Sequence, residues 1–356
     1  MRVIHVLNDI RKVGNGIVDS TIDLACAQAS LGHDVAVASA GGEFEELLAR
    51  RGIRHYSFDQ RRPHLRMLPL AREFASIATD FRPDVVHAQM RTAVVLVRMA
   101  RTIRPYGIVA SLHTHKVWLE LLMALADRAI AVSEDVRRAM ASAGFPRKKL
   151  VVVQNGPLGS AREDTAETQA AVLQRPAITT IAGLYYRKGI SELIAAFETI
   201  AARFPAAHLY IVGHGPDRAA FEAQARATPV ASRIHFEGFQ AAPKRWLRST
   251  DIFVLASRLE PSGLVLADAR EAGCAIVASN VGGIPEVLDC GNAGLLVPPG
   301  NVRALADAIA SLLGDQERRS ALAAAASRGI ERFSVDRVAR ETLAVYSSVL
   351  ARRVHP

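Results

Sequence analysis

Short, continuously apolar runs recur along the chain, and longer segments of helical spacing separate them. In the first half these runs are residues 2–7, 34–39, 84–88, 107–112, 129–132 and 150–153. In the second half they are 178–182, 208–212, 233–236, 252–255, 275–278 and 294–297. A strand wetted on one face alternates apolar and polar residues. A run that is apolar throughout suits a parallel strand covered by helices on both faces. Strand–helix alternation of this kind predicts an α/β chain with doubly wound sheets.

The alternation breaks at 156–176, GPLGSAREDTAETQAAVLQRP, which is polar, small and bounded by turn residues. The chain has 356 residues, and single cores stop growing at roughly 250–300 residues. Two domains are therefore expected, about 1–158 and 176–333, with a linker between them. Residues 334–350, SVDRVARETLAVYSSVL, read as one final helix. Ser334 is its expected N-cap, and Val335, Val338, Leu343, Val345, Tyr346 and Val349 form its apolar stripe.

Composition narrows the function classes. Cys26, Cys274 and Cys290 are the three cysteines. They form no CxxC pair, and the first two lie in Ala-rich apolar patterns. Buried free thiols in a reducing cytoplasm fit better than disulfides or zinc. The opening MRVIHVLNDI lacks the apolar core of a signal peptide. No apolar run reaches the roughly 18–20 residues of a membrane span. The expectation is a cytoplasmic protein, at most peripheral on a membrane. The first 160 residues hold 22 Lys and Arg against 15 Asp and Glu, which is +7 of the formal +9. Arg50, Arg51, Arg54, Arg61, Arg62, Arg66 and Arg72 crowd one region, and 92–104 reads as a helix carrying Arg98, Arg101 and Arg104. A possible anionic membrane surface, a phosphate-bearing acceptor or simply solvated arginine faces would account for this. Basic residues interleaved with aromatics are absent, so no nucleic-acid partner is expected.

The chemistry concentrates in SRLEPSGLVLADAREAGCAIVAS, residues 257–279. A strand ends in a polar loop, and a helix opens near Gly263. Glu260 precedes the helix and Asp268 lies more than one turn inside it. The N–H groups of Gly263, Leu264 and Val265 are expected to be the unpaired donors of a helix N-terminus, which makes a ready anion site. Glycine there allows a phosphate to approach the backbone. Taken alone, two acids eight positions apart are equally well a capping loop acid and a solvated helix acid.

The stretch resembles the signature of the family-4 retaining glycosyltransferases, in which two acids at this spacing follow a strand. The continuation VASNVGGIPEVLDCGNAGLLVPPGNVRALADAI resembles that family too. IAGLYYRKGISELIAAF resembles its phosphate-binding strand–loop–helix, with Lys188 at the lysine position and Arg187 beside it. GNGIVDSTIDLACAQASLGHDVAVAS resembles its opening loop and helix, with Gly14 and Gly16. SLHTH resembles its strand-end histidine segment, with His113 in register and His115 as the neighbour. The match implies a GT-B fold: two Rossmann-like domains facing across a cleft, with 334–356 crossing back onto the first. It also implies transfer of a hexose-type sugar from a UDP- or GDP-sugar, with retention, to a glycan, lipid-linked or small-molecule acceptor.

The resemblance further assigns roles. Glu260, His113 and Lys188 would be catalytic. Gly14, Gly16, Arg187, Lys188, Gly263, Leu264, Asp268 and Phe239 would bind donor. Asp268 would take the ribose hydroxyls, Phe239 would lie by the base, and Ser133 and Asn155 would face the cleft. No metal and no cofactor is expected, the nucleotide sugar being a substrate. Three positions depart from the pattern. Gly183 stands where relatives usually have arginine, and Asp268 where they usually have glutamate. Pro157 and Leu158 follow Asn-Gly where an acid is usual.

Other readings remain at this stage. A dinucleotide-binding oxidoreductase is disfavoured, because Asp19 occupies the third glycine position and no acid ends the second strand. A sugar-nucleotide epimerase of the same fold and a non-catalytic nucleotide-sugar-binding protein are the alternatives.

Overall fold

The computed structural model describes residues 1–61, 66–103, 105–114, 117–163 and 169–354, without the side chains of 117, 119 and 354. Arg62, Arg104, His115 and linker residues 164–168 lie outside the described residues. The chain forms two compact units. One comprises Met1–Arg162 with Phe333–Pro356, and the other Glu163–Arg332.

The first unit holds a seven-stranded, all-parallel sheet. Its strands are β1 (Arg2–Val6), β2 (Asp34–Ser39), β3 (Arg54–Ser57), β4 (Val85–Ala88), β5 (Gly107–Leu112), β6 (Arg128–Ala131) and β7 (Leu150–Val152), in the order β3-β2-β1-β4-β5-β6-β7. The second unit holds a six-stranded parallel sheet of β8 (Ala177–Ile181), β9 (His208–Val212), β10 (Ile234–Gly238), β11 (Ile252–Leu255), β12 (Ala275–Ser279) and β13 (Leu295–Val297). Its order is β10-β9-β8-β11-β12-β13. Within each unit the order reverses between the first and fourth strands. In doubly wound sheets ligands bind outside the carboxyl ends of the strands at that switch point.

The expected runs all became strands, because residues such as Val3, Ile4, Val85, Val86, Ile252 and Val254 are buried between helical layers. Strand β3 was not expected. Its sequence RHYS is polar, and it pairs only with β2 at the sheet edge, where one side stays wet.

Residues just past Gly156 belong to the first unit rather than to a free linker. Leu158 bridges Ser334, and Arg162 donates to both carboxylate oxygens of Asp23 at 2.8 and 2.7 Å. The final helix, Val335–Val354, packs on this unit through Val335, Val338, Val345, Tyr346 and Val349. The Ser334 hydroxyl accepts from Arg337 N–H at 3.3 Å, as an N-cap does.

Polar groups fasten the helix as well. The Tyr346 hydroxyl lies 2.6 Å from His87 Nδ1 and accepts from Gln28 Nε2 at 3.3 Å. His87 Nε2 is 2.8 Å from Ser111 Oγ, and His5 Nε2 is 2.8 Å from Gln28 Oε1. Burial lowers His5 to about 4, lowers His87 well below its ordinary value and raises Tyr346. The network is therefore neutral at pH 7, the state in which burial costs least.

Candidate active site

In the second unit the two strands flanking the switch point, β8 and β11, each deliver a charged residue. After β8 a one-turn helix, Tyr186–Lys188, ends at Gly189, which adopts φ 68°. A Cβ on Gly189 would lie 1.9 Å from the carbonyl oxygen of Ala256, so only glycine lets the two loops approach this closely. Arg258 N–H then donates to the Arg187 carbonyl at 2.8 Å, and the Arg258 side chain pairs with buried Glu192. Stitched together in this way, the loops bring Lys188 Nζ to 2.5 Å from Glu260 Oε2. The two side chains retain 16% and 11% exposure, enough to meet a ligand.

Glu260 is held from several sides. Its Oε2 accepts from Ser257 Oγ and its Oε1 from Gly263 N–H, both at 3.3 Å. Its backbone carbonyl accepts from Gly283 N–H at 3.0 Å, which gives the Gly282-Gly283 turn a structural purpose. Gly263, at φ 69°, caps the helix Leu264–Glu271 in a left-handed conformation that other residues adopt at a cost. The expectation that Gly263 N–H would be unpaired is corrected here. A carboxylate is the natural partner for a helix N-terminus, and Glu260 supplies it.

Asp268 sits in the second turn of that helix, with Lys244 Nζ 3.6 Å from its carboxylate. Lys244 also reaches Glu163 and Glu271, each at 2.5 Å. Burial pulls the ammonium down, but Asp268, Glu163 and Glu271 outweigh it and hold Lys244 above its ordinary value. Sequence reasoning missed Lys244. It lies in a short polar helix, KRWL, and only the fold brings it beside Asp268. Phe239 follows β10 and is 42% exposed, so it is not a core residue.

In the first unit, Gly14 and Gly16 flank Asn15, whose side chain caps the helix Gly16–Ser30 by accepting from Ile17 N–H at 3.1 Å. All three are exposed. His113 follows β5, and its Nε2 lies 2.8 Å from Oε1 of Gln89, which follows β4. Burial lowers His113 to about 4, so it is a neutral imidazole. With a carboxamide oxygen facing Nε2, that nitrogen carries the proton, and Nδ1 is a bare acceptor suited to a hydroxyl. Gln89 was not foreseen. Ser133 was expected to face a ligand, but it is buried and caps the helix Glu134–Ser142, accepting from Val136 N–H at 3.2 Å.

The arginine-rich region is less charged than its composition suggests. Arg54 pairs with Asp80, Arg61 with Asp59, Arg50 with Glu46 and Arg101 with Asp127.

Two doubly wound units of one strand order, with a lysine–carboxylate pair at a switch point beside a helix N-terminus, define the class: a doubly wound α/β protein with charged groups where such sheets take ligands. The comparisons with known proteins narrow this. Residues 161–329 match the family model described as Glycosyl transferases group 1, and residues 14–156 match Glycosyltransferase Family 4. The chain belongs to the group 1 glycosyltransferases, with the GT-B type of fold.

The phosphatidyl-myo-inositol mannosyltransferase of Mycolicibacterium smegmatis is 34% identical over 167 residues, 46% of this chain and 42% of that protein. The GDP-mannose-dependent alpha-(1-6)-phosphatidylinositol monomannoside mannosyltransferase of Mycobacterium tuberculosis is 30% identical over 257 residues, 65% of this chain and 66% of that protein. The chain thus spans under two thirds of the length of these curated relatives. The crystal structure of Anabaena Alr3699/HepE in complex with UDP superposes with a TM-score of 0.82 at 22% identity, covering 98% of this chain and all of that one.

Proposed function

We propose that this protein is a retaining glycosyltransferase that moves a hexose-type sugar from a UDP- or GDP-sugar to a glycan or lipid-linked acceptor. The observation that carries the reading is the 2.5 Å pair of Lys188 and Glu260 at the mouth of the Leu264–Glu271 helix. A cation and a helix N-terminus suit a leaving diphosphate, and a carboxylate beside them suits sugar hydroxyls and the positive charge that grows at the anomeric carbon. When donor binds, its phosphate takes over Lys188 and its sugar takes over Glu260, so each polar group exchanges one partner for another. Asp268 and Phe239 serve the ribose and the base. In the first unit we assign the residue 14–16 loop to the donor and Nδ1 of His113 to a sugar hydroxyl.

The bond from the anomeric carbon to the diphosphate oxygen breaks. The acceptor oxygen attacks from the face being vacated, and a phosphate oxygen takes its proton. No glycosidase-like nucleophile and acid flanking the bond are invoked. The protein positions the reactants and stabilises charge. A panel of UDP- and GDP-sugars, scored for donor hydrolysis and thermal stabilisation, tests this reading, with the product anomer determined by NMR. One nucleotide series should stabilise the protein and leak sugar slowly to water. An inverted anomer would overturn retention. Nucleotide binding without hydrolysis or transfer would favour the non-catalytic alternative.

For the acceptor we infer a site of action at an anionic membrane surface. The supporting observation is the exposure of Trp118, Leu122 and Leu125, by 81%, 49% and 43%, where the short helix Val117–Glu120 runs into the 3-10 helix Leu121–Leu125. Exposed Arg98 and Lys148 lie near Lys149, which bonds the carbonyls of Ala124 and Ala126. Interfacial tryptophan with flanking cations suits anionic headgroups. Sedimentation with vesicles should depend on anionic lipid and weaken with salt. Binding indifferent to both would remove the membrane from this reading. Among the described residues no helix is long and apolar enough to cross a membrane.

A further inference from the structure

The loop after β8 has glycine where the family resemblance expects arginine, and the space a side chain would fill there is already taken. A Cβ on Gly183 would lie 2.9 Å from Cε2 of the Tyr185 ring and 3.2 Å from its Cδ2. The loop turns tightly to place that ring, with Tyr185 N–H donating to the Gly183 carbonyl at 2.9 Å. The same ring supports Arg187, whose guanidinium carbon stands 5.3 Å from the ring centroid. The backbone beneath is fixed. Tyr186 N–H donates to Asp217 at 2.8 Å, Lys188 N–H to the Tyr185 carbonyl at 2.8 Å, and the Arg187 carbonyl accepts from Arg258 N–H.

Arg187 is exposed, and among the described residues it has no carboxylate partner, whereas neighbouring Lys188 is paired with Glu260. A guanidinium held over a ring by cation–π attraction uses its charge there and not a conventional N–H···O bond, which leaves N–H donors for an anion. That fork matches two phosphate oxygens at once. A bare arginine on an exposed loop samples many rotamers, and an aromatic prop reduces the entropy lost on capturing an anion.

We propose that Tyr185 is a positioning residue: it fills the space left by Gly183 and props Arg187, so that Arg187 supplies the second cation, beside Lys188, for the diphosphate of the donor. The inference rests on the nucleotide-sugar reading above and adds how this chain replaces the missing arginine. It also makes Gly183 and Tyr185 a matched pair, since a larger residue at 183 displaces the ring.

The test is calorimetric titration of the full chain with UDP, GDP, UMP and GMP, using the wild type, Tyr185→Ala, Tyr185→Phe, Arg187→Ala and the Tyr185→Ala/Arg187→Ala double variant. Arg187→Ala should weaken the preferred diphosphate by about tenfold or more, the worth of a charged hydrogen bond. Tyr185→Ala should weaken it by about three- to tenfold, the ring contact plus lost pre-organisation. Tyr185→Phe should bind as the wild type does, and the double variant as Arg187→Ala alone. The corresponding monophosphate should respond less in every variant. A Tyr185→Ala protein with wild-type diphosphate affinity would overturn the proposal. So would a Tyr185→Phe protein as weak as Tyr185→Ala, or effects that simply add in the double variant. If the wild type itself binds no nucleoside diphosphate, the nucleotide-sugar reading falls and takes this proposal with it. Wild-type binding with an indifferent Tyr185→Ala overturns this proposal alone.

Discussion

Each unit carries a set of polar side chains where apolar ones would pack more simply, and the two sets differ in charge and exposure. In the first unit His5, Gln28, His87, Ser111 and Tyr346 bond one another in the interior as neutral groups, and the two histidines are held there by burial. In the second unit Lys188 and Glu260 keep some exposure and form an ion pair at a switch point. The first set is buried and ties a helix to a sheet. The second reaches solvent, and on the proposed reading its two charges each exchange the other for a substrate group. Polar residues in an α/β unit thus divide by whether they stay solvated. Buried ones are neutral and bonded to one another, with His5 Nδ1 left without a partner, while those at the open strand ends can carry charge.

The comparison is broken most directly by removing charge from the second set. Glu260→Gln keeps the shape, so nucleotide affinity should change little, while turnover falls by about 100- to 1,000-fold, the usual cost of losing one electrostatic group from a transition state. Steady-state kinetics beside a nucleotide titration decide it, and near-native turnover would remove Glu260 from the chemistry. Lys188→Ala should cost about 1.5–3 kcal/mol of nucleotide affinity, read as Kd for UDP and GDP. Unchanged affinity for both would take Lys188 out of the site.

Tyr346→Phe acts on the other set. It deprives His87 and Gln28 of a partner inside the first unit and should lower stability by about 1–3 kcal/mol, measured by urea unfolding. Nucleotide affinity should not move, and if it did, the two sets would be coupled. Acid acts on the same set. His5 titrates near 6.5 when unfolded and about 4 when folded, so the unfolded chain takes up the proton first as pH falls. Stability from this group is complete above about pH 6.5 and drains at up to roughly 1.4 kcal/mol per pH unit down to about pH 4. His87 is shifted in the same direction. Stability that held flat from pH 7 to pH 4.5 would show that these rings are not buried neutral.

The pattern of apolar runs located twelve of the thirteen strands, because a strand covered on both faces has to be apolar along its length. It passed over β3, whose RHYS sequence lies at a sheet edge. The loop-to-helix segment at Gly263 was legible for a similar reason, since a glycine in the left-handed conformation and a helix N-terminus leave local signatures. The acids at Glu260 and Asp268 could be located along the chain, but their partners could not. Lys188 is 72 residues from Glu260 and Lys244 is 24 from Asp268, and no local pattern encodes those meetings.

What the sequence determined by itself was therefore the periodic and the local: an α/β chain, the break near 156–176, the final helix and the family of the motifs. The tertiary structure decided which charges were spent on neighbouring carboxylates and which were not. Arg54, Arg61 and Arg101 are paired with carboxylates, and Gly263 N–H is taken by Glu260. Arg187 stands on Tyr185 over the space a glycine leaves. Hydrophobic burial follows from the type of each residue in turn, so one dimension records it. The pairing of charges depends on distances of a few ångströms between segments far apart in the chain, and only folding sets those distances.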